Sequence, residues 1–240
     1  MNAFVRLLLP APCRLCAQPL RHAARLPVCD DCLDSIPPLE PESSCRRCGK
    51  ACSEPLCAFC RVHPPAYDAA ASWTVYAGAA RALLHLYKYG RVLPAGDWFA
   101  ARLAPLLEAA HAGMLVPVPL GRARLRERGF NQSEILARRL ARVAALPCDP
   151  TVLVRRRETW SQSGLSREER ERNVADAFRC PEPRRVAGRR ILLLDDVLTT
   201  GATAQACART LKSAGAAAVH VLTIARADLD AAGLVLGASA

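Results

Sequence analysis

The most apolar run in the chain is ILLLDD, residues 191–196, four aliphatic residues that end on two carboxylates. A continuous run of this kind marks a parallel strand covered on both faces. AVHVLTIA at 218–225 predicts the next strand. Between them, residues 203–214 have the composition of a helix that stops at Gly215, a residue suited to a left-handed cap. Upstream, MLVPVPL at 114–120 predicts a short strand, and Pro117 and Pro119 argue against a central place in a ladder. A helix follows over 132–145, with Asn131 as its cap, Glu134 three residues on, and Ile135, Leu136, Leu140 and Val143 on one face. VLVRRR at 152–157 predicts another strand. Strand, helix, strand, helix, strand implies a doubly wound parallel α/β sheet with right-handed crossovers.

Before residue 67 the pattern is different: prolines are frequent and long periodic runs are missing. Nine of the 12 cysteines lie between residues 13 and 60, eight of them in the pairs CRLC, CDDC, CRRC and CAFC. Composition therefore divides the chain into a small module over 1–65, an α/β domain over 66–228 and a tail at 229–240, with HPPAYD (63–68) as an extended linker. Each CxxC turn aims two sulfurs at one tetrahedral ion, and a second pair completes the shell. Sequential pairing places Cys13, Cys16, Cys29 and Cys32 on one Zn²⁺ and Cys45, Cys48, Cys57 and Cys60 on another, a double zinc ribbon. A cross-braced pairing of the first knuckle with the third satisfies the same spacing. Four thiolates leave no open position, so both zincs are expected to be structural. Cys52 is left over as a small hydrophobe. Redox chemistry at a CxxC is the competing reading, but four paired knuckles exceed what a redox motif uses.

The formal charge is +11, and 30 of the 33 basic residues are arginine. Residues 121–190 hold 18 arginines against nine acids, a face suited to phosphate-bearing partners because guanidinium forks match phosphate oxygens in pairs. No segment reaches the roughly 18 apolar residues that a membrane-spanning helix needs. FVRLLLPAP near the start is short for a secretory signal and carries Arg6 in its middle. These features predict a cytoplasmic protein whose thiols stay reduced.

Ligands of parallel sheets bind beyond the carboxyl ends of the strands, the position of Asp195 and Asp196. Adjacent carboxylates stay ionised only where cations or donors face them, and a sugar diol with Mg²⁺ meets both demands. The following loop, TTGAT, has the opposite polarity: Gly201 permits a tight turn, Thr199, Thr200 and Thr203 add hydroxyls, and a helix N-terminus opens. A diol reader beside a phosphate cradle describes a ribose 5-phosphate site. No Walker lysine follows the glycine. Taken alone, a DD dipeptide is more often a turn cap; the apolar run before it and TTGAT after it supply the strand–turn–helix context of a motif.

ILLLDDVLTTGAT resembles the phosphoribosyl pyrophosphate signature of type I phosphoribosyltransferases. With PVPLGRARLRERGFNQSE at 117–134, QSGLSREERERNVADAF at 162–178 and the paired knuckles, the chain from Cys13 to Ala225 resembles the ComF family, which is associated with DNA uptake in competent bacteria. The resemblance implies that Asp195 and Asp196 bind the ribose hydroxyls and that Thr199, Thr200, Gly201, Ala202 and Thr203 form the 5-phosphate loop. It makes RARLRERGFN a pyrophosphate-contacting loop with Arg126 and Arg128 as candidates. It offers Lys88 in LYKYG as a further anion contact, where the bland reading is a snorkelling surface lysine. Residues 158–178 take the place of a flap over the substrate, with a Ser166–Glu169 capping box and with Trp160 packing on its closed form or anchoring its base.

The implied reaction is phosphoribosyl transfer: displacement at the anomeric carbon of phosphoribosyl pyrophosphate, with Mg²⁺ accompanying the substrate. Such chemistry asks little of a general base, and the five histidines have no partner at a recognisable spacing. The rival expectation is a non-catalytic protein that senses a nucleotide while the knuckles and arginines hold single-stranded DNA. Aromatic residues for base stacking are scarce at 5%. A third is a scaffold that docks a DNA-uptake helicase through its ribbons.

Overall fold

The structure is a computed structural model that describes residues 11–20, 25–157 and 166–227. Four strands form one parallel sheet: β1 (Ala69–Val75), β2 (Met114–Pro117), β5 (Arg190–Leu198) and β6 (Ala218–Arg226), in the spatial order β1-β6-β5-β2. An antiparallel pair, β3 (Val154–Arg155) with β4 (Phe178–Arg179), stands apart from it. The helices are α1 (Asp30–Asp34), α2 (Ala58–Val62), α3 (Gly78–Lys88), α4 (Ala95–Leu103), α5 (Arg122–Arg128), α6 (Gln132–Ala144), α7 (Arg167–Val174) and α8 (Ala202–Ser213).

Alternation along β5 builds both faces of the sheet. Leu192 and Leu194 pack with Leu83, Leu84 and Tyr87 of α3, Phe99 and Leu103 of α4, and Leu136 and Leu140 of α6. Ile191 and Leu193 face the other way, onto Cys207 and Leu211 of α8, with Val152, Val174 and Phe178. Each fully buried aliphatic side chain contributes roughly 1.5–3 kcal/mol. Placing them on both faces fixes β5 inside the sheet, between β6 and β2.

The helices follow from sequence-local signals. In α3 the buried residues Ala80, Leu83, Leu84 and Tyr87 recur at i, i+3, i+4 and i+7. Asn131 caps α6 by accepting from Ser133 N at 3.1 Å, and its amide donates to the Val118 carbonyl at 3.1 Å, tying the helix start to the end of β2. The helix α8 closes in a Schellman pattern: Gly215, at φ +93°, donates to Lys212 O (2.9 Å) and Ala216 to Leu211 O (3.1 Å).

Several expectations shift in detail. The strand foreseen at 114–120 stops at Pro117 and, as its prolines implied, lies at one edge of the sheet, with a bridge from Leu115 to Cys148 on its far side. VLVRRR yields only the two residues of β3. Val143 is 60% exposed; the buried stripe of α6 runs through Leu136, Ala137, Leu140 and Ala141. RARLRERGF is not a loop: residues 122–128 are helical, ended by Gly129 at φ +83°. The capping box at Ser166 and Glu169 opens α7, whose last residue, Val174, is buried. Trp160 and residues 4–10 of FVRLLLPAP lie outside the described residues.

The cysteine segments are one motif built twice. Cys13–Cys16 and Cys45–Cys48 form matching turns, closed by Ala17 N to Cys13 O (2.9 Å) and by Gly49 N to Cys45 O (2.8 Å). Cys29 and Cys57 then donate their main-chain N–H to Cys13 Sγ and Cys45 Sγ, both at 3.3 Å, and each caps a five-residue helix. Cys52 falls where the first copy has Leu20: their N–H groups bond to Ser43 O and Ala11 O. That equivalence explains a cysteine with no place in a metal shell. Between the copies, residues 37–39 run along β1, with Leu39 N donating to Trp73 O at 2.7 Å and Thr74 Oγ1 to Pro37 O at 2.6 Å.

Candidate functional site

The end of β5 is where three elements converge. Asp195 and Asp196 leave the buried run, the first turn of α6 meets Asp195, and the last residue of α3 meets Asp196. Ser133 Oγ donates to Asp195 Oδ1 at 2.9 Å, and the same oxygen accepts from Asp196 N at 2.9 Å. Lys88 Nζ pairs with Asp196 Oδ1 at 2.9 Å. The second oxygen, Asp196 Oδ2, is buried with no hydrogen-bond partner among the described residues. An acceptor left this way carries a desolvation cost that a ligand donor would offset.

Desolvation and the neighbouring charge of Asp196 push the Asp195 carboxyl up to about 7, against the opposing pull of the Asp196 N–H, Ser133 and Lys88. Burial works against the charge on Lys88, but the Asp196 carboxylate outweighs it, so the ammonium is held protonated above its ordinary range. His85, one turn back on α3, meets the Tyr76 hydroxyl at 3.1 Å, a partner that spacing did not reveal. Burial and the nearby Lys88 and Arg81 lower its pKa.

The loop after β5 takes a tight path. Gly201 sits at φ +82°, and a Cβ there would approach Tyr67 Oη to 3.1 Å, so both conformation and space call for glycine. Thr200 Oγ1 accepts from Ala202 N at 3.3 Å. From behind, Arg226 donates to the carbonyl of Leu198 at 2.8 Å and to that of Thr199. Holding those carbonyls to the rear leaves the first turn of α8, with the positive end of its dipole, at the mouth of the loop. Thr203 lies in that turn.

Arg128 is half-buried, donates to Gln132 Oε1 and stacks 4.9 Å over the Tyr89 ring, which places it beside the first turn of α6. Arg126 is exposed to solvent. The structure therefore brings Asp195, Asp196 and Lys88 into direct contact, sets the 199–203 loop next to them along the chain, and leaves Arg126 on the surface. Ser133, Tyr67 and Arg226 were not singled out from sequence. Ser133 lies within RGFNQSE, where a polar residue in the buried first turn of an amphipathic helix is the available signal.

A magnesium ion does not fit on this carboxylate pair. Two acids and one ammonium sum to a single negative charge, and a dication on the open Asp196 Oδ2 would sit beside the ammonium already bound to Oδ1.

Each cysteine set gathers its four sulfurs within 4.8 Å, in the sequential pairing Cys13, Cys16, Cys29, Cys32 and Cys45, Cys48, Cys57, Cys60. Cys16 and Cys29 sulfurs are 3.6 Å apart, Cys48 and Cys57 3.8 Å, and Cys13 and Cys32 4.0 Å. Tetrahedral thiolates at about 2.3 Å from zinc are about 3.8 Å apart, so both sets fit that ion. Burial raises the Cys13 thiol, but N–H donors from Cys16, Cys29 and Leu15 prevail and bring it down to about 6. Burial is likewise outweighed at Cys45, where the donors of Cys57, Cys48 and Arg47 bring it down to about 6. No helix among the described residues is long and apolar enough to cross a membrane.

Residues 127–231 match the phosphoribosyl transferase domain family. DNA utilization protein YhgH of Escherichia coli (strain K12) is 34% identical over 231 residues, spanning 92% of this chain and 99% of that protein. Competence protein F of Haemophilus influenzae is 34% identical over 114 residues, 47% of this chain and 50% of its own length. Competence protein ComFC of Bacillus subtilis is 35% identical over 114 residues, 47% of this chain and 44% of that one. Among solved structures, an allosteric regulatory enzyme of purine biosynthesis aligns at 22% identity with a TM-score of 0.39, over 55% of this chain and 26% of that enzyme.

Proposed function

This chain belongs to the ComF family, carrying a phosphoribosyltransferase domain behind two four-cysteine clusters, and from that premise we propose that it binds phosphoribosyl pyrophosphate or ribose 5-phosphate at the end of β5 as a phosphoribosyltransferase serving DNA uptake and use. The observation that supports this most is the orphaned Asp196 Oδ2 beside Asp195, three residues before a loop whose Gly201 has a left-handed conformation that strains any side chain. The orphaned oxygen accepts one ribose hydroxyl and Asp195 the neighbouring one, while the 199–203 loop and the first turn of α8 hold the 5-phosphate.

In the transfer itself, the bond from the anomeric carbon to pyrophosphate breaks, and pyrophosphate leaves with the bonding electrons. The acceptor's nucleophile forms the new bond to that carbon and gives up its proton. Positive charge grows on the sugar ring, so the residues act by positioning and by charge. In this reading Arg128, which stands beside the first turn of α6, is the candidate contact for the departing pyrophosphate. Magnesium belongs to the diphosphate substrate in this reading, not to the carboxylates. Two Zn²⁺ ions hold the cysteine clusters closed.

A second reading, single-stranded DNA binding or docking of a DNA-uptake helicase without catalysis, draws on α5, which has four arginines and buries none of its residues. One variant separates the two. Asp195 and Asp196 changed together to Asn should abolish calorimetric binding of phosphoribosyl pyrophosphate in magnesium and leave DNA binding intact. Loss of DNA binding with the sugar phosphate still bound would overturn the transferase reading in favour of the second.

A further inference from the structure

The carboxylate pair already has a cation. Lys88 Nζ lies 2.9 Å from Asp196 Oδ1, with only 14% of the lysine side chain and 8% of the aspartate exposed. Withdrawing either partner would leave a buried charge alone. The lysine is also fixed from behind: it is the last residue of α3, whose Leu83, Leu84 and Tyr87 are fully buried. The Tyr87 hydroxyl donates to Gln132 O at 2.9 Å, which locks the end of α3 to the start of α6, the turn that supplies Ser133 to Asp195. Both helices that serve the acids are therefore braced against each other, and the ammonium is positioned as firmly as the carboxylates.

The electrostatics of the pocket favour an ammonium over a metal. With Lys88 in place the pair has at most one uncompensated negative charge. Magnesium demands near-octahedral oxygen ligands at about 2.0–2.1 Å, and only Asp196 Oδ2 lacks a partner on that residue. An ammonium has three donors and no octahedral requirement. One donor goes to Asp196, which leaves the others for oxygens of a ligand.

Resting on the ribose-phosphate reading above, we infer that Lys88 is the resident cation of this site, positioning sugar and phosphate oxygens against Asp195 and Asp196 so that ligand binding at the carboxylates needs no divalent metal. The role assigned to Lys88 is thus a contact to both the acids and the ligand, different from a solvated lysine or a distant phosphate contact.

Ribose 5-phosphate is the informative probe, because it has no diphosphate to carry magnesium in with it. Calorimetric titration of the full zinc-loaded chain is done in millimolar magnesium and in buffer freed of magnesium by resin, since a soluble chelator would attack the cysteine clusters. The expected result is wild-type affinity equal within about twofold in the two buffers. Lys88→Met should weaken metal-free binding at least about tenfold and regain part of it with magnesium, whereas Lys88→Arg should still bind without metal. Wild-type binding that falls about tenfold or more without magnesium overturns the inference and leaves the ribose-phosphate reading standing. Undiminished metal-free binding by Lys88→Met removes the role from Lys88. No binding in either buffer overturns the ribose-phosphate reading itself. Should Lys88→Met fail to fold, as judged by its thermal melt, the wild-type comparison decides alone.

Discussion

At the scale of single residues, Asp195 ties the stability of the fold to acidity. Its carboxyl stands at about 7 in the folded chain against 3.8 for the ordinary group. A raised carboxyl favours the protonated folded state, so its contribution is complete below about pH 4 and is lost as pH rises through about 7. Asp195→Asn mimics the protonated form and keeps an oxygen for Ser133 and for the Asp196 N–H. Thermal melts should therefore find the variant close to wild type at pH 5 and more stable than wild type at pH 8. An equal difference at both pH values would show that Asp195 does not titrate in this range. The acids and their loop were legible because an unbroken aliphatic run must end somewhere, and an acidic end there has few explanations. The pairing of Lys88 with Asp196 was not legible, because 108 positions separate them and nothing in LYKYG says which way the lysine turns. Ser133 escaped notice for a related reason: the buried face of α6 begins with polar residues, Gln132 and Ser133, that a search for aliphatic stripes passes over.

At the scale of elements, the duplicated knuckle gives a controlled comparison. The same turn is left-handed in both copies, with Ala17 at φ 63° in the first and Gly49 at φ 68° in the second. An L-residue there is strained by roughly 1–2 kcal/mol. Ala17→Gly should relieve part of that and raise the melting temperature by a few degrees, while Gly49→Ala should lower it, because its new Cβ would also press on Ala70 O at 3.2 Å. If both changes destabilise, the two turns are not energetically equivalent. The copies also differ in what lies under them. Cys13 packs into the main core with Val28 and Ile36, whereas Cys45, Cys48 and Cys60 form a small cluster of their own. Cys13→Ser is thus expected to lower the global melt, and Cys45→Ser to release one zinc and expose the second ribbon to protease with a smaller loss of melting temperature. Metal analysis with limited proteolysis checks this, and equal global destabilisation by both would contradict it. Spacing alone read the ligand sets but left the pairing open; packing resolved it. The helix α5 was missed because RARLRER has no apolar face, and it forms on local propensity and its Gly129 cap, burying nothing.

At the scale of the whole molecule, the ribbons and the sheet are not independent bodies. Residues 37–39 bond to the outer edge of β1, and the first cysteine cluster shares a core with α3 and α4. A fragment starting at residue 66 would expose that edge and the apolar surface under Cys13, which makes a parallel sheet prone to edge-to-edge association. We expect such a fragment to elute as aggregates, or to melt well below the full chain; a monomeric fragment of undiminished melting temperature would refute the coupling. The two-sided parallel architecture was readable from the runs at 191–194 and 218–225. β1 was not, since AAASWTV opens on three alanines and has no aliphatic alternation to announce it, and its place follows from pairing with β6. That pairing has a consequence for synthesis. Among the described strands β6 is made after β1, β2 and β5 yet lies between β1 and β5, so a nascent chain leaving the ribosome holds β1 without its lateral neighbour until residues 218–226 have been added. During that interval the proline strap at 37–39 is the protection β1 has, and closing the ribbons early, as soon as their thiols find metal, would keep the growing polypeptide soluble until the sheet can zip shut.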